Sequence, residues 1–148
     1  MRAGAVTGAL IVGLLGAVAP ADGRPAKDEF RIEKWCPTAD DPAACYIVES
    51  EPFTQLVGGR ISYEDRVYWT NPAGFTFEIA RVTLTTGPGK DPGQIMGQVR
   101  WLKDSGLITL RQGTGSLADV HATGTVEYIA QEGDLSAFEL VGTYHVHP

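Results

Sequence analysis

The stretch "GLITLRQGTGSLADVHATGTVEY", from Gly106 to Tyr128, decides the fold. Gly113, Gly115 and Ala118 follow an apolar run in the order G-x-G-x-x-A, which is also the order of a dinucleotide-binding turn. That turn needs a full helix inside a βαβ unit, and only about nine residues separate Gly115 from the next strand-like run at Thr125. We therefore predict a sharp corner between two antiparallel strands, with Gly113 and Gly115 both at positive φ.

The residues inside this corner predict how one end of the fold is closed. "SLADV" forms one compact turn, and the run from Ala122 to Tyr128 returns as the partner strand. Leu117 and Val120 are the apolar residues of the turn, and we expect them to plug that end of a barrel.

Apolar and polar residues alternate with period two along most of the chain after the cysteines, which is typical of β-strands. Seven or eight strand-like segments are separated by short turns, and no helical stripe is present. Between Gly74 and Thr86 the apolar phase shifts, which predicts a β-bulge near Ala80 and Arg81. Such chains fold as barrels or sandwiches.

The first residues have the pattern of a secretory signal peptide. Arg2 is followed by an apolar run from Gly4 to Ala19 and by the small-x-small motif Ala19-Pro20-Ala21. The run is shorter than the roughly 20 apolar residues that span a bilayer, which disfavours a membrane anchor. We predict a signal peptide at 1–21, a flexible leader at 22–35 and one barrel domain at 36–148. The expected location is secreted or periplasmic, with no membrane association after signal removal.

Net charge limits the classes of binding partner, and the cysteine content bears on a disulfide. The formal net charge of −6 argues against nucleic acid and anionic membranes. Cys36 and Cys45 are the two cysteines, and export favours a disulfide between them. Two free thiols or a metal-binding pair are the alternatives, but the spacing is longer than a C-x-x-C clamp.

The glycine-rich corner also resembles a known family. "ITLRQGTGSLADVHATGTVEY" is similar to the strand–GTG–turn–G-x-G–strand segment of the allene oxide cyclase, dirigent and related bacterial barrels, over about 25 residues. Gln112 stands where the family has a first glycine, and Ala122 departs from the G-x-G that ends at Gly124. The resemblance implies an all-β, eight-stranded antiparallel barrel of calycin-like type with an apolar cavity, often as a homo-oligomer.

Family membership would connect the chain with cyclases of oxidised fatty acids and polyketides, and with dirigent proteins that guide radical coupling. No catalytic motif of the plant enzymes is present to be transferred. An eight-stranded barrel is wide enough to hold one small ligand. Six alternating aromatic residues are the candidate ligand-binding residues, and ordinary core packing is the alternative: Tyr63, Trp69, Phe77, Trp101, Phe138 and Tyr144.

Charged residues within strands supply a candidate catalytic group. Asp65 alternates in phase with Tyr63 and Trp69. If it lies inside the barrel, burial would raise the pKa of its carboxyl and suit it to acid–base chemistry. The alternatives are a position at the rim or a pair with an arginine. Glu78 and Arg100 alternate onto the presumed outer face.

Two histidines near the end of the sequence have the spacing of some metal ligands. His145 and His147 lie on one side of an extended strand, and His121 is a third candidate. Because chain ends fray, we predict no metal site there and no cofactor. The function predicted first is binding of a small hydrophobic molecule in the central cavity. The alternatives are a cofactor-free cyclase or isomerase acting on a lipid-like or polyketide-like substrate, and a filled barrel serving as a secreted interaction module; the residues leave open whether the protein is an enzyme.

Overall fold

A computed structural model describes residues 28–37, 45–103 and 105–147, which form a closed eight-stranded antiparallel barrel, as predicted. Each strand pairs with its sequence neighbours, and the first pairs with the last. The strands are β1 (Asp28–Pro37), β2 (Cys45–Glu51), β3 (Arg60–Thr70), β4 (Thr76–Thr85), β5 (Gly93–Leu102), β6 (Ser105–Gly115), β7 (Val120–Glu132) and β8 (Leu135–Val146). A 3₁₀ turn, Thr54–Leu56, precedes β3.

The predicted leader is wrong from Asp28 onward. Residues 28–35 belong to β1, which pairs with both β2 and β8 and so completes the closure of the barrel. The predicted signal peptide and residues 22–27 lie outside the described residues. Among the described residues, none forms a helix of the length and apolar character needed to cross a bilayer.

The corner between β6 and β7 is confirmed, with one correction. Gly115 has a φ of 58°, as predicted, but Gly113 is not among the positive-φ residues and is required for a different reason. A Cβ at Gly113 would lie 1.8 Å from the carbonyl oxygen of Leu117, so only glycine allows the turn to fold back this closely. The left-handed residue that ends the turn is Asp119, with a φ of 65°.

The predicted bulge lies on the neighbouring strand. The pairing of β3 with β4 shifts between Glu64 and Val67, so Asp65 and Arg66 oppose the single residue Ala80. Strand β4 itself pairs with β5 in unbroken register. The apparent phase change in β4 arose because large apolar residues lie on both of its faces.

The half of the barrel next to the corner is filled with apolar side chains. Leu117 and Val120 close this end as predicted, with Leu117 only 1% exposed. The space left among the side chains here is about 10 Å³, too little for more than a single water molecule. The residues around it include Phe30, Ile32, Leu56, Leu84, Ile95 and Leu117.

The predicted disulfide is confirmed: Cys36 at the end of β1 is bonded to Cys45 at the start of β2. Both cysteines are buried, at the end of the barrel opposite the corner. The bond is compatible with a protein of an oxidising compartment.

Candidate ligand-binding site

The other half of the barrel contains a hollow of about 370 Å³ that opens to solvent. The disulfide forms part of its wall. We call it the Lys34 hollow, after the residue at its base; its principal lining residues are Lys34, Tyr63, Arg66, Glu78, Trp101 and Phe138. Its volume lies at the lower end of the range for small-molecule sites.

Lys34 is a buried lysine inside the barrel, with 1% of its surface exposed. Its inward direction follows from the alternation of β1, in which Phe30 and Ile32 also point into the core. The Nζ atom donates a hydrogen bond to the hydroxyl oxygen of Tyr63. Burying an amine without partners is costly, and this hydrogen bond and the surrounding rings offset part of that cost.

Three aromatic rings surround the Lys34 amine. Nζ lies 4.4 Å from the ring centroid of Tyr63, 5.0 Å from that of Phe138 and 5.7 Å from that of Trp101. All three distances lie within the range of cation–π attraction, which partly offsets the loss of water around an ammonium group. Phe138 is the direct ladder partner of Lys34 on β8, which fixes the contact between them.

Burial, together with the nearby positive charge of Arg66, lowers the pKa of Lys34 to about 7. The protonated and neutral forms of the amine are therefore both populated near neutral pH, because this pKa is far below that of an ordinary lysine. Burial raises the pKa of Tyr63, with Glu78 contributing in the same direction and Arg66 opposing it. The tyrosine hydroxyl therefore keeps its proton to a more alkaline pH than an ordinary tyrosine does.

An ion pair lies at the rim of the hollow. The guanidinium of Arg66 is 3.5 Å from the carboxylate of Glu78, and both side chains are partly exposed. The bulge of β3 turns Arg66 inward, and the regular alternation of β4 brings Glu78 to the same side. The prediction that Glu78 faces outward is therefore wrong.

The described residues that line the Lys34 hollow differ in charge from the protein as a whole. Among them Lys34, Arg66 and Lys103 are basic and Glu78 is acidic, whereas the chain carries a net charge of −6. An anionic group is therefore favoured here relative to the rest of the surface.

The six aromatic residues predicted to bind ligand are divided among three places. Tyr63, Trp101 and Phe138 meet in the hollow, with the last two rings 5.8 Å apart. Trp69 and Phe77 are cross-strand partners, stacked 5.6 Å apart on the outer face, and Trp69 is 54% exposed. The expectation that these two rings share the lumen is wrong, because the bulge in β3 reverses the facing of Trp69, and Phe77 lies on the face of β4 opposite to its buried residues.

Tyr144 lies toward the filled half of the barrel, where its ring is 4.7 Å from that of Phe53. It packs against the core and is absent from the lining of the Lys34 hollow.

Asp65 lies outside the barrel. It occupies the bulge at a φ of 52°, its side chain is exposed, and its carboxylate is 3.1 Å from Arg81. The interior position that would make Asp65 a catalytic candidate is not observed, and the predicted alternative, a pair with an arginine, is present. A carboxyl in solvent beside a guanidinium lacks the burial that would suit it to acid–base chemistry.

Lys34 and Arg66 line the hollow but are not among the site residues predicted from sequence. Lys34 was assigned to the leader, although Phe30, Ile32, Lys34 and Cys36 alternate; a charged residue at an inward position of this run was the available signal. Arg66 turns inward through the bulge, whose position the alternation did not give.

Comparison of the chain with protein-family models, with curated proteins and with solved structures finds no significant match.

Proposed function

We propose that the protein binds a small amphipathic molecule in the Lys34 hollow, with its apolar body against the aromatic rings and an anionic or carbonyl group near the Lys34 amine. The observation that carries the proposal is the buried amine enclosed by three rings at the base of an open hollow. This chemistry refines the hydrophobic ligand expected from sequence, since a purely apolar molecule would leave the polar groups of the hollow without partners.

The two halves of the interior bear differently on the rival hypotheses. A filled interaction module requires a packed interior, and the half beside the corner fits that requirement. The hollow at the other end supports ligand binding instead, because its lining combines aromatic walls with a few convergent polar groups.

Fluorescent probes that differ in one charged group test the proposal. Anilinonaphthalene sulfonate carries an anion on an apolar body, and phenylnaphthylamine is its uncharged counterpart. We expect the anionic probe to bind at least about tenfold more tightly, which corresponds to about 1.4 kcal/mol. Equal affinities would contradict the role of the basic groups, and no binding of either probe would contradict the proposal as a whole.

A matched pair of tryptophan substitutions locates the probe. Trp101→Ala removes a wall of the hollow and should weaken binding of the anionic probe about tenfold or more, whereas Trp69→Ala on the outer face should leave it unchanged. The reverse order of effects would place the binding surface on the outer hairpin.

A cofactor-free isomerase or cyclase is the second candidate, favoured by the proton exchange of Lys34 near neutral pH. An amine of this kind can take a proton from a carbon next to a carbonyl and return it elsewhere, with no cofactor. The Tyr63 hydroxyl accepts a hydrogen bond from Nζ and can donate its own hydrogen to the carbonyl oxygen. Solvent deuterium incorporation into ketones by the wild-type protein, absent in Lys34→Met, would support this candidate.

Export and family membership are also part of the proposal. The apolar run at the start of the sequence and the buried disulfide support secretion, and the barrel with its glycine corner supports kinship with the allene oxide cyclase and dirigent-like barrels. Sequencing the amino terminus of protein recovered from the medium or periplasm tests export, with cleavage after Ala21 as the expected result.

A further inference from the structure

All three histidines of the chain lie together on the outer face of the barrel, next to the corner. His121 begins the outward alternation of β7, His145 is its direct ladder partner on β8, and His147 follows two residues later. The ring centroids are 5.3 Å, 5.1 Å and 4.6 Å apart.

Backbone hydrogen bonds hold the three positions independently of the imidazoles. The ladder between β7 and β8 is continuous from the pair Val120 and Val146 through the pair His121 and His145. Beyond the end of β8, the backbone N–H of His147 donates to the carbonyl oxygen of Asp119 at 2.9 Å. His145 and His147 are therefore both paired with the barrel through their backbones.

The ligand atoms of the three side chains are already close to a coordination geometry. One nitrogen from each ring lies within 4.8 Å of the other two. Around a tetrahedral zinc ion with bonds of about 2.0–2.1 Å, ligand nitrogens are about 3.3 Å apart. Rotation of partly exposed imidazoles about their side-chain bonds covers the remaining difference.

We propose that His121, His145 and His147 form a binding site for a divalent transition-metal ion such as Zn²⁺ or Cu²⁺. Three imidazoles are a ligand set suited to these ions, and they leave further coordination positions for water or a small anion. A neighbouring surface hollow of about 190 Å³, lined by His121, His145 and Arg111, provides the space for that additional ligand. The site is separate from the Lys34 hollow and does not depend on the proposed function.

The ion would join three points of the chain. It would connect the start of β7, the end of β8 and the residue after β8, at the end of the barrel that the corner closes. Since an ion that binds the folded state stabilises it, the melting temperature should rise with the concentration of Zn²⁺.

Calorimetric titration of untagged full-length protein with Zn²⁺ tests the proposal. We expect one ion per chain, and His121→Gln, His145→Gln and His147→Gln should each weaken binding at least about tenfold, since even outer partners of metal ligands affect affinity by that factor. Glu132→Gln, at an exposed position far along β7, is the control and should bind as wild type does. Affinities unchanged by all three histidine substitutions would overturn the proposal.

Electron paramagnetic resonance of bound Cu²⁺ reports directly on the nitrogen atoms that coordinate the ion. Histidines with a purely structural role would not contribute to this signal. The wild-type spectrum should show coupling to three imidazole nitrogens, and each single substitution should remove one. Metal-free melting temperatures of the three variants should match the wild type, since these side chains are at the surface. A spectrum without nitrogen coupling would contradict the site, whatever the calorimetry shows.

Discussion

The two halves of the barrel interior are built from the same strands but have different composition. Next to the corner, side chains such as Ile32 and Leu84 fill the interior and leave about 10 Å³. At the opposite end, the same two strands contribute Lys34 and Glu78 to a hollow of about 370 Å³. Within each strand, the residues near the corner therefore form the stabilising core, and the residues at the other end line the candidate site. Substitutions near the corner should mainly lower stability, and substitutions in the hollow should mainly affect binding.

The largest effect is expected in the filled half. Leu117→Ala removes a buried side chain from a closely packed plug and should lower the free energy of unfolding by about 3 kcal/mol. Leu107→Ala, on the outer face of β6 with 61% of Leu107 exposed, is the control and should cost less than about 1 kcal/mol. Urea denaturation measures both. Equal losses would mean that the corner end is not the packed core.

The disulfide should give the next largest effect, at the open end. Replacing Cys36 and Cys45 together by serine frees the intervening segment in the unfolded chain and should lower the free energy of unfolding by about 2.5 kcal/mol. Thermal or urea unfolding of the wild-type protein under reducing conditions should show the same loss. Agreement between the two measurements excludes an effect of the serines themselves; a loss below about 0.5 kcal/mol would contradict the prediction.

A smaller, pH-dependent effect should distinguish the hollow from the plug. Lys34 has a pKa of about 7 in the folded protein and an ordinary, higher value when unfolded. Between these values the unfolded chain binds a proton that the folded chain does not, so stability rises with pH, and it falls as the pH drops toward 7. We expect a slope of about 1 kcal/mol per pH unit between about pH 7.5 and about pH 9.5.

Lys34→Met should abolish this slope, and Lys90→Met in an exposed loop should leave it intact. Urea denaturation at several pH values measures it. The pH range of the measurement ends below the pKa of an ordinary tyrosine. Above that pKa, the raised pKa of Tyr63 makes stability fall as the pH rises, opposite to the effect of Lys34. If the slope persists in Lys34→Met, the pH dependence of stability comes from another titratable group.

The closed barrel could be predicted because its signals are local. Alternation with period two indicated strands along most of the chain, and the glycine spacing indicated the corner that Gly115 and Leu117 form. Strand β1 was missed because Lys34 interrupts its apolar face. A charged residue at a core position breaks the pattern by which a strand is recognised.

The candidate site could be predicted only in part. Alternation placed Tyr63, Trp101 and Phe138 correctly, since all three lie in regular stretches of their strands. It failed at Asp65 and Trp69 because the two-residue bulge of β3 reverses the facing of everything that follows. Which strand of a pair carries the extra residue depends on pairing, which a single sequence does not specify.

The most direct test of the Lys34 hollow as a ligand site is an NMR titration of the ε-carbons of the four lysines, with and without dodecanoate. The Lys34 signal, identified by its absence in Lys34→Met, should titrate near pH 7 in the free protein and at a higher pH when a carboxylate is bound beside it. Titration of Lys34 at the ordinary lysine value of about 10.4, unchanged by dodecanoate, would contradict the account.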